Sequence, residues 1–576
     1  MRAVFVCLFA FFVACGGKDK VNHLPDAPGI AIRIEPADLQ VTIVDGVAVT
    51  RPFTATFVEP DGKERDITAD AVFSLSDSMY GTFSGNTLSV TGQGAGPVRV
   101  QASLSGVTGD TGLTVFVKTT IVDADIIPQN LPELFDTAQN DPSLAPNLVY
   151  PLDGILVPPN LGQFDVHWTQ QVANVFEVKM SNQYVDIKRY TNGESTQQYW
   201  IVFQPTQWYP IASSRQQLTL EVAGMNTQNS TRKGTAAPQH IDVTNEDARG
   251  GIYYWSTSPT QGIFRYDVAT PSVPPAPYFA PGTEPSTCMG CHALSRDGSK
   301  VAITLDGAGG RGSVFNVADK SVLVEFTQAA KRWNFSAFTP DNSKLLTVTE
   351  GVMTLRDVNG GAPIGGVTNT LGTFGTHPDF SPDGTRLVAV ESPSNGNDIF
   401  MYQGSIVTHT FDNATNTFGP SVVLVPADPN AQIANYYPSF SPDGQWIAYT
   451  RTTGYSYDHA SAEAWVVKAD GTAPPIKLAK ANLSLGNLTN SWPRWVPFSQ
   501  SFGPSSAPLY YLTFSSKRSF GVRLPTEGRP QIWMTPFFPA KASAGEDPSG
   551  PAFRVPFQAI ESSNHIAQWT QAVVVQ

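Results

Sequence analysis

The sequence predicts an all-β chain: two β-sandwich domains followed by a six-bladed β-propeller. Three observations predict it. The 576 residues include 48 glycines and 46 prolines, with 15% charged and 11% aromatic residues, a mixture that favours short strands and tight turns over long charged helices. Strand-like runs separated by turn signals fill the chain from Ile30 to about Gly250. From Gly251 onward a short pattern recurs, clearest as Phe-Ser-Pro-Asp-Gly at 380–384 and 440–444.

The first element is residues 1–14, read as a signal peptide. Arg2 is its single positive charge, and the apolar run from Ala3 to Ala14 is too short to span a bilayer. The run ends in Phe12-Val13-Ala14-Cys15-Gly16. This resembles a bacterial lipobox, in which a small residue precedes a cysteine that becomes the lipidated N-terminus. The resemblance makes Cys15 a lipid anchor and places the protein in a bacterial cell envelope, periplasmic or at the cell surface. An ordinary signal peptide with a later cut is the alternative. Residues 15–29 are polar, with Gly, Lys, Asp and Pro, and suit a flexible tether.

Residues 30–118 form the first sandwich. Short strand candidates such as IAIRIEP, LQVTIVDG, AVFSLSD and TGLTVFVK alternate with turns at sandwich spacing. The segment from Gly62 to Gly106, with its Asp66-Ile67-Thr68 motif, resembles the group 2 bacterial Ig-like domains. That resemblance implies a spacer or adhesive module without chemistry. Residues 119–250 are read as a second sandwich of Ig or fibronectin type, with FEVKM, YVDIKRY, QYWIVFQP and QLTLEVAGM among its strands and Trp168 in its core. His167 is expected to face solvent.

Residues 251–576 carry the repeats. Cys291-His292-Ala293-Leu294 aligns with Phe335-Ser-Ala-Phe338, His377-Pro-Asp-Phe380, Tyr437-Pro-Ser-Phe440, Trp492-Pro-Arg-Trp495 and Ile566-Ala-Gln-Trp569. In Ser-Pro-Asp-Gly the proline presets the second turn position and glycine suits the fourth, so the motif joins two strands tightly. Asp297, Asp341, Asp383 and Asp443 are therefore turn residues rather than catalytic acids. The repeats resemble the blades of TolB-like propellers. Six copies imply six blades, with the C-terminal HIAQWTQ strand closing onto GIYYWS and GIFRYDV at 251–268. Segments 452–462 and 514–530 are expected to be surface insertions.

The chain has four cysteines, Cys7 and Cys15 near the start and Cys288 and Cys291 together. Cys288-x-x-Cys291-His292 is the attachment signature of c-type haem, in which both thiols bond the porphyrin and the histidine ligates iron. His292 is the expected proximal ligand and His565 the sixth, with His377 as its alternative. A disulfide between Cys288 and Cys291, a redox pair or a metal site stays open. The expected site lies at the mouth of the propeller channel, beside Phe335, His377, Tyr437 and Trp492.

Two functions follow. One is an anchored haem carrier for electron transfer or redox sensing, meeting a protein or redox partner at the channel mouth. The other is a non-enzymatic scaffold that binds a protein or peptide. A formal charge of −12 without a Lys/Arg run argues against nucleic acid. The sequence shows no G-x-S-x-G elbow, and the glycine-rich loop 306–312 lacks a P-loop lysine.

Overall fold

The computed structural model describes residues 31–571, apart from 127, 193–196, 281–288, 308–309, 326–332, 366–373, 393–397, 429, 485–486 and 524–527. The expected leader, the tether with Cys15, and Cys288 lie outside the described residues. The described chain is all-β with a few short helices, and no helix among the described residues is long and apolar enough to cross a membrane.

The chain divides into two compact units. The first comprises Met1–Val41, Val49–Val90 and Pro97–Thr114. In it Ala31–Glu35 pairs antiparallel with Thr54–Val58, which pairs with Glu64–Asp66. A second sheet joins Val49–Pro52, Thr87–Val90 and Gly81–Ser84. Alternation decides which side chains go inward: in Ala31–Glu35 only Ile32 and Ile34 are buried. They belong to a core that also contains Phe53, Ala55 and Leu88.

The second unit comprises Thr42–Ala48, Thr91–Gly96 and Val115–Gln576. Its N-terminal part has the predicted strands and two short helices, Leu131–Thr137 and Pro205–Ala212, that the strand pattern does not announce. A three-stranded sheet, Asn147–Tyr150, Phe164–Thr169 and Gln198–Phe203, supplies Trp168, which is fully buried against Phe176 and Tyr199.

His167 is a correction. It is fully buried rather than solvent-facing, because Tyr150 and Phe520 enclose its ring at centroid distances of 5.3 and 4.6 Å. Phe520 belongs to segment 514–530, expected as a surface insertion. That segment instead carries a docking contact: Arg523 pairs with buried Asp165 at 3.1 Å, and a Cβ at Gly521 would collide with the His167 ring. Tyr511 adds a hydroxyl donated to the Leu156 carbonyl at 3.0 Å. The 119–250 segment and the propeller thus share a buried seam, which no local pattern of the insertion could disclose.

From Gly251 onward six antiparallel sheets follow. Their first strands are Met289–Leu294, Phe335–Phe338, Gly375–Phe380, Ala434–Phe440, Ser491–Trp495 and Ser563–Thr570, and each packs against the next, the last against the first. This is a closed six-bladed propeller with those strands innermost. The sixth blade closes the ring: C-terminal Ser563–Thr570 pairs with Gly251–Ser258, which continues through Gly262–Asp267 to Ala276–Phe279.

The repeated turns have the geometry their residues require. In blade three the Ser381 hydroxyl donates to Asp383, the Asp383 carboxylate accepts the Thr385 N–H at 3.1 Å, and Gly384 takes φ +71°. The same Asp-centred turn recurs at Asp297, Asp341 and Asp443. Asn342 replaces glycine at φ +58°, a conformation asparagine tolerates better than most residues.

Candidate functional site

Five of the six inner strands carry a bulge at one place in the repeat. Pairing skips between Gly290 and Ala293, Thr376 and Asp379, Tyr436 and Ser439, Ser491 and Arg494, and His565 and Gln568, so two residues oppose one in each case. The first bulged residue has positive φ: Cys291 at 37°, His377 at 50°, Tyr437 at 52° and Trp492 at 59°, with Ile566 at 52° in the sixth blade. A bulge re-aims a side chain, and here the first repeat position turns into the channel. Cys291 therefore stands where other blades place His377, Tyr437 and Trp492. His292 takes the place of their prolines.

Phe335, His377, Tyr437 and Trp492 do come together, each from within its inner strand. Trp492 stacks on Tyr437 at 3.6 Å, and the His377 ring lies 4.2 Å from Tyr437 and 4.3 Å from Phe335. All four are buried. They form a plug across the channel instead of lining an open mouth: bulges drive the rings of His377, Tyr437 and Trp492 toward the axis, where Phe335 meets them from a regularly paired strand.

The plug separates different surroundings. On one side is an apolar pocket of about 210 Å³ lined by Trp255, Cys291, Phe335, Phe400, Tyr457 and Trp492, among others. Segment 452–462 reaches over it: buried Ser456 donates to the Ile399 carbonyl at 2.7 Å and accepts the Met401 N–H at 2.9 Å. Burial pushes the Tyr457 hydroxyl up to about 12, with Cys291 nearby adding to the rise. Outside it Phe400 and Tyr402 remain 45% and 59% exposed, with Tyr455 between them at ring distances of 6.1 and 6.4 Å. An aromatic rim thus continues from the pocket to the surface. On the other side of the plug is a polar pocket of about 200 Å³ that includes Arg296, Asp379, Arg494 and Gln568.

His292 lies within the plug region. One ring nitrogen, Nε2, is 3.1 Å from the Tyr253 carbonyl, and Nδ1 is buried without a partner. Burial brings its pKa down to about 4, so the ring is neutral and Nε2–H donates. The chamber it lines, with His377, Tyr437 and Arg494, is about 20 Å³, room for roughly one water molecule. His377 is buried with both nitrogens unpartnered, and burial holds its pKa well below the usual range. His565 packs against Trp255 at 5.6 Å, its Nε2 3.5 Å from the Ser563 hydroxyl.

These positions test the expected haem. Donation of a second ring N–H to a carbonyl suits a metal-bound histidine. Space does not. A macrocycle ligated by His292 would need the volume of a ligand pocket, about 300 Å³ or more, where the histidine lines about 20 Å³. Cys291 lines the larger apolar pocket, which His292 does not. The described side chains in this arrangement do not fit a haem held by His292, and no group of three or more His, Cys, Asp or Glu among them has metal-binding geometry.

Sequence reasoning did not single out Trp255, Phe400, Tyr457, Arg494 or Gln568. Arg494 and Gln568 had a usable signal. They occupy the third repeat position, where the six copies read Ala293, Ala337, Asp379, Ser439, Arg494 and Gln568, and all six line the polar pocket. Phe400 and Tyr457 lie in inter-strand segments outside the repeat, and offered none.

No family model matches the chain, and no curated protein is similar to it in sequence. Among solved structures, TolB from Acinetobacter baumannii is 13% identical over 61% of this chain and 79% of its own, with a TM-score of 0.35. Hydrazine synthase from Kuenenia stuttgartiensis is 16% identical over 49% of this chain and 70% of its own, with a TM-score of 0.30. The dihydro-heme d1 dehydrogenase NirN is 11% identical over 51% of this chain and 60% of its own, at 0.29.

Proposed function

We propose that the propeller is a non-enzymatic binding scaffold that holds an aromatic or branched apolar side chain of a peptide or protein partner in the pocket beside Cys291. The apolar pocket with its exposed aromatic rim carries this reading. Aromatic side chains supply large, rigid contact area at low entropic cost, and a small apolar recess surrounded by them suits one anchoring side chain. Panning a phage-displayed peptide library against the full chain tests it. Enriched peptides should share an aromatic or branched apolar anchor and lose at least about tenfold in affinity with Phe400→Ala or Tyr457→Ala, the loss of one anchor contact. Peptides without such an anchor, or indifferent to both substitutions, overturn it.

Covalent haem on Cys288 and Cys291, for electron transfer or redox sensing, is the second reading. The sequence motif favours it, as does the exposure of Cys291 to an apolar recess; against it stands the small space around His292. Haem staining of the denatured chain, made in cells with haem-attachment machinery, separates the readings. Retained colour that is lost in Cys291→Ala supports the carrier, and a colourless chain rejects it. The envelope location is likewise proposed, from the leader and Cys15, and incorporation of labelled palmitate that disappears in Cys15→Ala tests it.

A further inference from the structure

We propose that the polar end of the channel, opposite the aromatic pocket, is a second binding site, for a carboxylate monoanion held by Arg494. The site is built from the third repeat position of each blade. Blades one, two and four place Ala293, Ala337 and Ser439 there, and these short side chains leave the space that the pocket of about 200 Å³ occupies. Blade five projects Arg494 into that space. Its guanidinium has five N–H donors, and its hydrogen bond among the described residues is from Nη1 to the Pro493 carbonyl at 3.1 Å. No ion pair joins Arg494 to a carboxylate among the described residues, although Asp379 favours its charged form through space against the effect of burial.

The surrounding groups are prepared for the same ligand. Asp379 accepts the Phe440 N–H at 2.8 Å through Oδ2, which holds its carboxylate against the backbone of the neighbouring blade. Arg296 is fixed by donation to the Phe380 carbonyl at 2.6 Å. The Ser336 hydroxyl, on the wall shared by this pocket and the inner chamber, is buried without a hydrogen-bond partner. Gln568 adds an amide. Two arginines and one aspartate leave a net single positive charge in the lining, which matches a monoanion and disfavours a dianion such as phosphate. A planar guanidinium fork also matches the two oxygens of a carboxylate. Trp495 and Trp569 flank the space with their indole N–H groups already bonded, to the Ser439 carbonyl and the Thr513 hydroxyl, both at 3.0 Å. They present apolar ring surface to the remainder of the ligand.

The test uses the purified full chain and three probes: N-acetylglycine, its uncharged analogue N-acetylglycinamide, and inorganic phosphate, followed by the fluorescence of the flanking tryptophans and by calorimetry. N-acetylglycine is expected to bind at least about tenfold more tightly than the amide, the difference a charge-assisted bidentate contact makes. Arg494→Gln should abolish that preference, and Phe400→Ala, beyond the plug, should leave it intact. Equal binding of acid and amide, binding of neither, phosphate binding more tightly than N-acetylglycine, or an unchanged preference in Arg494→Gln each overturns the proposal. If thermal melting shows that Arg494→Gln does not fold, Arg296→Gln replaces it: a preference reduced several-fold supports the site, and an unchanged one overturns it. Loss of peptide binding at the aromatic pocket has no bearing on these outcomes.

Discussion

The indole of Trp492 lies on the ring of Tyr437, centroids 3.6 Å apart and planes 18° from parallel, although 55 positions of sequence separate them. Both residues open a bulge in adjacent inner strands, and both have positive φ. Their contact closes the channel.

Removing one ring should open it. Trp492→Ala is expected to destabilise the chain by about 3–5 kcal/mol, the usual cost of deleting a large buried aromatic. Urea denaturation measures the loss. A destabilisation below about 1 kcal/mol would mean that neighbouring rings collapse into the space, and that the plug does not depend on this residue.

The seam between the 119–250 segment and the propeller depends on Phe520 and Arg523. Arg523→Ala leaves Asp165 buried beside His167 without its guanidinium partner and should cost about 3 kcal/mol, as breaking a buried pair does. Limited proteolysis should then cleave between the two parts faster than in the parent chain. Unchanged cleavage would show that the remaining contacts suffice.

Acid should destabilise the protein through its buried histidines. Burial lowers the pKa of His167 despite the opposing influence of Asp165, and it lowers those of His292 and His565 to about 4. Below about pH 6.5 the unfolded chain takes up protons that these buried rings refuse, so stability is fully present above that pH and falls as pH drops toward 4. The urea midpoint, followed from pH 7.5 to 4.5, should decline, and less steeply in His167→Gln. A flat profile would contradict neutral burial.

At the blade turns, Gly384→Ala should cost about 1 kcal/mol. Its φ of +71° strains any side chain, while the space around it is open, the nearest atom to an added Cβ being Pro340 Cδ at 3.5 Å. Thermal melting reads the change. A neutral result would show that the turn shifts to a conformation alanine accepts.

The sequence by itself determined the propeller, its six blades and the closing strand, because Ser-Pro-Asp-Gly turns and apolar runs are local signals repeated often enough to count. It also identified Phe335, His377, Tyr437 and Trp492 as equivalent residues. What only the tertiary structure decided is where equivalence leads. Bulges turn His377, Tyr437 and Trp492 onto the channel axis, where they meet Phe335 as a plug, and another sets Cys291 in line with them while the ring of His292 faces the Tyr253 carbonyl. The same holds for His167, exposed by the logic of its own strand and buried once Phe520, more than 350 positions later, folds onto it. Turn chemistry acts between neighbours in the chain. Burial and the closure of a channel are set by residues far apart in sequence, whose meeting is fixed only when the ring of blades is complete.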